Sequence, residues 1–170
     1  MALIKPINGI LPTFGINCFI AENATVIGNV HTGSDCTIWY QAVLRGDVNK
    51  ITIGNKVNIQ DGAIIHCTYQ KHDTLIGNYV SIGHRAIVHG CVVEDHVLIG
   101  MGAIVMDGAH IQSNSIIAAG AVVTEGTQVE EGSIYAGVPA KKIKEISIEQ
   151  TSQLISRIAD NYVMYAKWQG

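Results

Sequence analysis

A chain of 170 residues, 48% hydrophobic and 15% charged, holds enough apolar material for one domain with a sizeable core, which excludes a disordered tail or a supercharged nucleic-acid binder. Eleven Lys and Arg against fourteen Asp and Glu leave a net charge of −3, the wrong sign to grip a phosphate backbone, so no nucleic-acid partner is expected. The longest apolar run, Ile116 to Val123, is far below the roughly 18 residues of a membrane span, and the start has neither a basic leader nor an apolar signal core, so a cytoplasmic protein with no membrane partner is expected. Cys18, Cys36, Cys67 and Cys91 lack CxxC spacing and fit reduced thiols.

In chain order, an aliphatic or β-branched residue recurs every six positions. Thr32, Ile38 and Leu44 form one trio, Ile53, Ile59 and Ile65 a second, and Ile76, Ile82 and Val88 a third. Val93, Ile99, Val105, Ile111, Ile117, Val123 and Val129 then keep the spacing without a break. A helix of 3.6 residues per turn would scatter these positions around its circumference, whereas a β-helix with three short faces per coil points every one of them inward. The period therefore predicts a mainly β protein, a parallel β-helix of about six coils. Gly33, Gly54, Gly77, Gly83 and Gly100 each follow an aliphatic position, where a tight corner with unusual dihedrals is expected. The hexads resemble those of the left-handed β-helix superfamily from about Phe14 to Val138, and the hand of the coil is implied by that resemblance, not by the period.

The eleven residues from Ile65 to Ile76 exceed one hexad by five, which places an inserted loop within Cys67 to Leu75. After Pro139 the repeat stops. Ser147 and Gln150 have capping-box spacing, and Ile155, Ile158, Ala159, Tyr162 and Ala166 form an apolar stripe at helical spacing. The expected layout is a β-helix over residues 1–139 and a C-terminal α-helix within 140–170, lying along the prism or reaching to a neighbouring subunit.

His66 follows Ile65 and His89 follows Val88, so both hold the same place in their hexads. Once the five inserted residues are discounted, they lie one coil apart on one face. His84 follows Gly83 and falls on another face, so one chain cannot readily gather all three. Three copies around an axis could, which predicts a homotrimer with a metal between subunits. Zinc on three neutral imidazoles keeps a fourth position for water and makes that water far more acidic than bulk water. His31, His72, His96 and His110 are expected to be solvated, and Cys67 and Cys91 beside the pair are either thiolate ligands or small buried residues.

A polar constellation precedes the first of these histidines. Arg45 and Asp47 lie in VLRGD, and Asn58, Gln60 and Asp61 in VNIQDG. A planar guanidinium suits bidentate carboxylates across an interface, so Arg45, Asp47 and Asp61 are candidate intersubunit residues. Gln60, with an amide donor and acceptor, could orient a metal-bound hydroxide.

VLRGD, NIQDG, IIH, IGHRAIVHG and YAGVPAK, in that order, resemble the γ-class carbonic anhydrase family. The resemblance implies zinc, iron(II) or cobalt on His66, His84 and His89 at a trimer interface, with carbon dioxide and bicarbonate as substrates. It further implies Arg45 and Asp61 at the interface, Asn58 and Gln60 around the site, and Tyr162 in its wall. Two departures stand out: Val48 replaces a glutamate that follows the aspartate in the family's best-characterised enzymes, and the inserted loop carries only His72 and Asp73 where those enzymes carry a proton-shuttling glutamate. Other readings are an acyl-CoA-dependent acyltransferase of the same superfamily, a metal-dependent thioesterase and a non-catalytic assembly component.

Overall fold

In the computed structural model, which describes residues 1–169, short strands joined by tight corners wind into a three-sided parallel β-helix that a C-terminal helix follows. On one face Thr37–Ile38, Asn58–Ile59, Ser81–Ile82, Leu98–Ile99 and Ile116–Ile117 pair in register, so Ile38, Ile59, Ile82, Ile99 and Ile117 stack at the axis, each fully buried. Leu44, Ile65, Val88, Val105 and Val123 do the same on a second face, and Val93, Ile111 and Val129 continue the third. Each such side chain contributes about 1.5–3 kcal/mol of transfer free energy, and because strands alternate, the residue after each faces outward.

There are about seven turns, where the aliphatic count leads to six. The extra turn comes from the N-terminal segment: Leu3–Lys5 pairs in parallel with Thr25, Val26 and Ile27, although its residues lack the hexad pattern because one side of this terminal rung is open to solvent.

Corner geometry also differs from expectation. Gly33, Gly54, Gly77, Gly83 and Gly100 do not have positive φ, and the left-handed corners belong to other residues, among them Asn17, Asp35, Tyr79, Arg85, Asn114 and Gly126. The five glycines are there because coils touch. A Cβ on Gly54 would sit 2.7 Å from the carbonyl of Gly77, and one on Gly83 would sit 2.7 Å from the amide nitrogen of Met101.

Two insertions interrupt the prism at the same corner of consecutive coils. The second is the Cys67 to Leu75 loop. The first, around Asp47 to Lys50, lies inside the long strand Val43–Ile53, whose pairing with Thr25–Thr32 shifts register between Gly28 and Val30. Its trace in the sequence is the nine-residue gap between Leu44 and Ile53. The insertions brace each other: the Asn49 side chain donates to the Thr68 carbonyl at 3.1 Å and the Lys50 amide to Asp73 Oδ1 at 3.1 Å.

After the last coil, Lys141–Glu145 turns back as an antiparallel strand on Ser133–Ala136. The helix Ile148–Ala166 follows, with Ser147 as its N-cap, and buries Thr151, Ile155 and Ala159 along the outside of the prism. Tyr162 meets Trp39 edge-on at 5.4 Å and Asp160 pairs with Lys56 at 2.9 Å. No helix among the described residues is long and apolar enough to cross a membrane. The histidines expected to be solvated are partly exposed and also have neighbours: His31 bonds Thr13 and Asn29, His96 stacks on Tyr79, His110 pairs with Glu94 at 2.7 Å, and His72 lies near Gly90 and Gly108. A β-helix corner presents the residues of adjacent coils to each other, so a polar side chain there meets its neighbour before it meets water.

Candidate metal centre

His66 and His89 are the last residues of Ile64–His66 and Ile87–His89, directly paired in register. Strand alternation sends Ile65 and Val88 inward and both imidazoles outward at the corner with the insertions. The rings lie 5.0 Å apart, with His66 Nδ1 3.0 Å from His89 Nε2. A carboxylate holds the other nitrogen of each ring: Asp47 Oδ1 lies 3.0 Å from His66 Nε2, and Asp107 Oδ1 lies 2.6 Å from His89 Nδ1. Arg45, which follows the Leu44–Ile65 pair of the ladder, donates to Asp47 Oδ2 at 2.6 Å and approaches His66 Nδ1 at 3.4 Å. Thr68 on the inserted loop donates to the second oxygen of Asp107 at 2.6 Å.

These contacts set the charge states. Burial, together with Arg45 and His89, pushes the His66 imidazole below its ordinary pKa against the pull of Asp47, which favours the neutral ring a metal ion needs. Burial opposes ionisation of both carboxylates, yet hydrogen bonds from Arg45 and His66 hold Asp47 below the usual carboxylate range, and those from Thr68 and His89 do the same for Asp107.

His84 lies after Ser81–Ile82 on another face. Its Nδ1 pairs with Asp61 at 2.9 Å, and its backbone N–H donates to Gln60 Oε1 at 3.2 Å. Gln60 in turn donates to Asn58 Oδ1 at 2.9 Å, and Asn58 to Ser81 Oγ at 2.7 Å. This buried amide chain fixes Gln60 beside His84. An apolar cleft of about 410 Å³ adjoins them, walled by Leu98, Ile116, Ile158 and Tyr162. Burial, with a contribution from the Asp61 charge, pushes the Tyr162 phenol up to about 12, so it stays a neutral donor.

One chain thus holds two half-constellations. Among its described residues no three His, Cys, Asp or Glu side chains converge as a metal-binding group. The donor chemistry nonetheless fits a borderline divalent ion: two facing imidazole nitrogens, each ring steadied from behind by a carboxylate, are the arrangement metal-bound histidines require. Cys67 and Cys91 are buried, and that burial raises both thiol pKa values. Val48 is half-buried against the hydrophobic core, so a glutamate there would displace apolar contacts.

Asp107 and Thr68 were not among the residues singled out from sequence. Val88 and Val93 are five apart instead of six, and that one-residue slip hides the place of Asp107 at the corner below His89. Removing the Asp107 charge while keeping its shape, as in Asp107→Asn, is expected to weaken metal affinity about 10–100-fold with little change in melting temperature, as found for outer partners of metal-bound histidines. Metal titration of the variant beside the parent chain checks this.

Comparisons with known proteins agree with this architecture. Residues 90–125 match the bacterial transferase hexapeptide (six repeats) family model. The structure superposes on a hexapeptide transferase family protein from Anaplasma phagocytophilum with a TM-score of 0.91 at 39% identity, covering 97% of this chain and 96% of that one. The fold and its repeats define a hexapeptide-repeat β-helix protein. Within that class, the chain is 42% identical to a carbonic anhydrase of Geobacillus kaustophilus, over 95% of its own length and 87% of the relative's. It is 41% identical to the mitochondrial γ carbonic anhydrase 1 of Arabidopsis thaliana, over 89% of its own length and 56% of the plant protein's. The chain belongs to the γ-class carbonic anhydrase family.

Proposed function

We propose that this protein catalyses the reversible hydration of carbon dioxide at sites shared between the subunits of a homotrimer. In this reading His66 and His89 of one subunit and His84 of the next hold zinc, iron(II) or cobalt. The observation that carries it is the stacked pair with its two carboxylates, half of a ligand set whose third imidazole lies on another face of the same chain. The ion, when bound, supplies a water activated at neutral pH. The protein's part is orientation. Asp47 and Asp107 fix the two rings, Gln60, anchored by Asn58, presents its amide beside His84, and Tyr162 with Leu98 and Ile116 gives the cleft an apolar wall suited to an uncharged substrate. In this reading Arg45 and Asp61, both partly exposed at the edges of the two half-constellations, also pair across the boundary.

Stopped-flow hydration assays, with zinc and with anaerobically loaded iron(II), test this reading. Activity is expected to disappear on chelation and to return with added metal. The hexapeptide transferase character of the matched family model and of the Anaplasma structure supports a second reading, acyl transfer from coenzyme A. That chemistry needs one histidine as general base and no metal, so acyl transfer that survives chelation, with no hydration, would replace the first reading with the second.

A further inference from the structure

A second cleft, about 450 Å³, opens between the end of the C-terminal helix and the first coils, with Cys18, Asp35, Thr37, Val163 and Lys167 in its wall. Cys18 lies directly over Cys36. Phe19 pairs with Thr37, and the Phe19 amide donates to the Cys36 carbonyl at 2.9 Å, so the two cysteines hold the same place on consecutive coils. Neighbouring strands repeat at about 4.8 Å, inside the roughly 4.4–6.8 Å that a disulfide needs between Cα atoms. The sulfurs also repeat their surroundings: Cys18 Sγ reaches the Gly33 carbonyl at 3.2 Å, and Cys36 Sγ reaches the Gly54 carbonyl at 3.1 Å. Both side chains therefore leave the backbone in the same direction.

They differ in access and in proton affinity. Cys18 is half-buried at the cleft wall, and Cys36 is sealed beneath it. The Cys36 side chain stacked beside it lowers the Cys18 pKa to about 6, with further help from Thr32 and against the effects of burial and Asp35, while proximity to Cys18 and burial push Cys36 up. The arrangement is an approachable sulfur that ionises more readily than an ordinary thiol, with a sulfur that keeps its proton stacked behind it. Cys67 and Cys91, both buried with raised pKa values, share neither feature.

We propose that Cys18 and Cys36 are a peroxide-oxidisable dithiol that closes to a disulfide between the first two stacked corners of the β-helix. The Cys18 thiolate attacks one oxygen of hydrogen peroxide, the O–O bond breaks, hydroxide leaves, and Cys18 becomes a sulfenic acid. The Cys36 sulfur then attacks the Cys18 sulfur. The S–O bond breaks and the leaving oxygen departs as water with the Cys36 proton. The leaving hydroxide takes up the proton that Cys18 lost on ionising, so two thiols give up two electrons and one peroxide becomes two waters. A small dithiol reductant reverses the closure by exchange.

The test treats the intact protein with hydrogen peroxide. Free thiols are expected to fall from four to two per chain, with a peptide map joining Cys18 to Cys36 and no change in chain size on a denaturing gel. In Cys36→Ser the reaction should stop at a sulfenic acid on Cys18 that dimedone traps, whereas Cys18→Ser should keep its remaining thiols. Melting curves show whether each variant is folded, and the map of the parent chain decides the matter if one is not. The proposal fails if Cys18 and Cys36 remain reduced while free cysteine in the same solution is consumed, or if the bridge found involves Cys67, Cys91 or a second chain.

Discussion

Co-expressed His66→Ala and His84→Ala chains should recover metal-dependent hydration that neither variant shows alone. Each lesion by itself removes one ligand from every site. With two imidazoles left, the ion is held too weakly to persist at micromolar protein, and hydration should drop at least about a thousandfold, since metal chemistry carries most of the rate in such sites. In a mixed trimer, however, a boundary where a His84→Ala chain offers His66 and His89 to the His84 of a His66→Ala chain is intact. About one quarter of boundaries meet that condition when the chains assort at random around a three-fold axis. Metal per trimer and hydration rate should recover together to about that fraction. Recovery of neither would show that the three histidines do not meet across a boundary, because a site complete within one chain cannot be repaired by mixing.

A comparable effect on stability is expected from a single methyl group. Gly54→Ala places a Cβ 2.7 Å from both the carbonyl carbon and oxygen of Gly77 on the next coil. Backbone meets backbone there, and no side chain can swing aside, so the coils must separate locally and loosen the flanking stacks of buried Ile and Val. Overpacking of this kind costs about 1–3 kcal/mol and occasionally more. The contrast is Gly126→Asn. Gly126 has φ +70° with nothing within 4 Å of its missing Cβ, and asparagine already occupies the same left-handed region at Asn114. That exchange should shift stability by less than about 1 kcal/mol. Thermal or urea unfolding of the two variants separates the steric role of one glycine class from the conformational role of the other, and equal losses would mean that the coil contact at Gly54 is not tight.

How much of this was legible beforehand follows from how far the hexad period reaches. The period determined the β-helix, the inward residues and the stacking of His66 on His89, because in a coil of constant length a difference in residue number is a position in space. It also put His84 on another face, which, beside the family resemblance, is the basis for expecting a shared site. The apolar stripe from Ile155 to Tyr162 marked the helix, since a 3.6-residue period reports a buried face even when its partner is unknown. Departures from constant coil length were decided only by tertiary structure. The three-residue excess near Asp47 brings that carboxylate onto His66 although the motif containing it suggested an intersubunit role, and the five-residue step after Val88 brings Asp107 under His89. Glycine was read as a corner residue from its place in the hexad, yet at Gly54 and Gly83 the reason is the approach of the next coil. Local sequence can state which dihedrals a residue tolerates. The distance between two coils is set by backbone hydrogen bonds along the whole stack, and what must fit between them depends on residues about eighteen or more positions away.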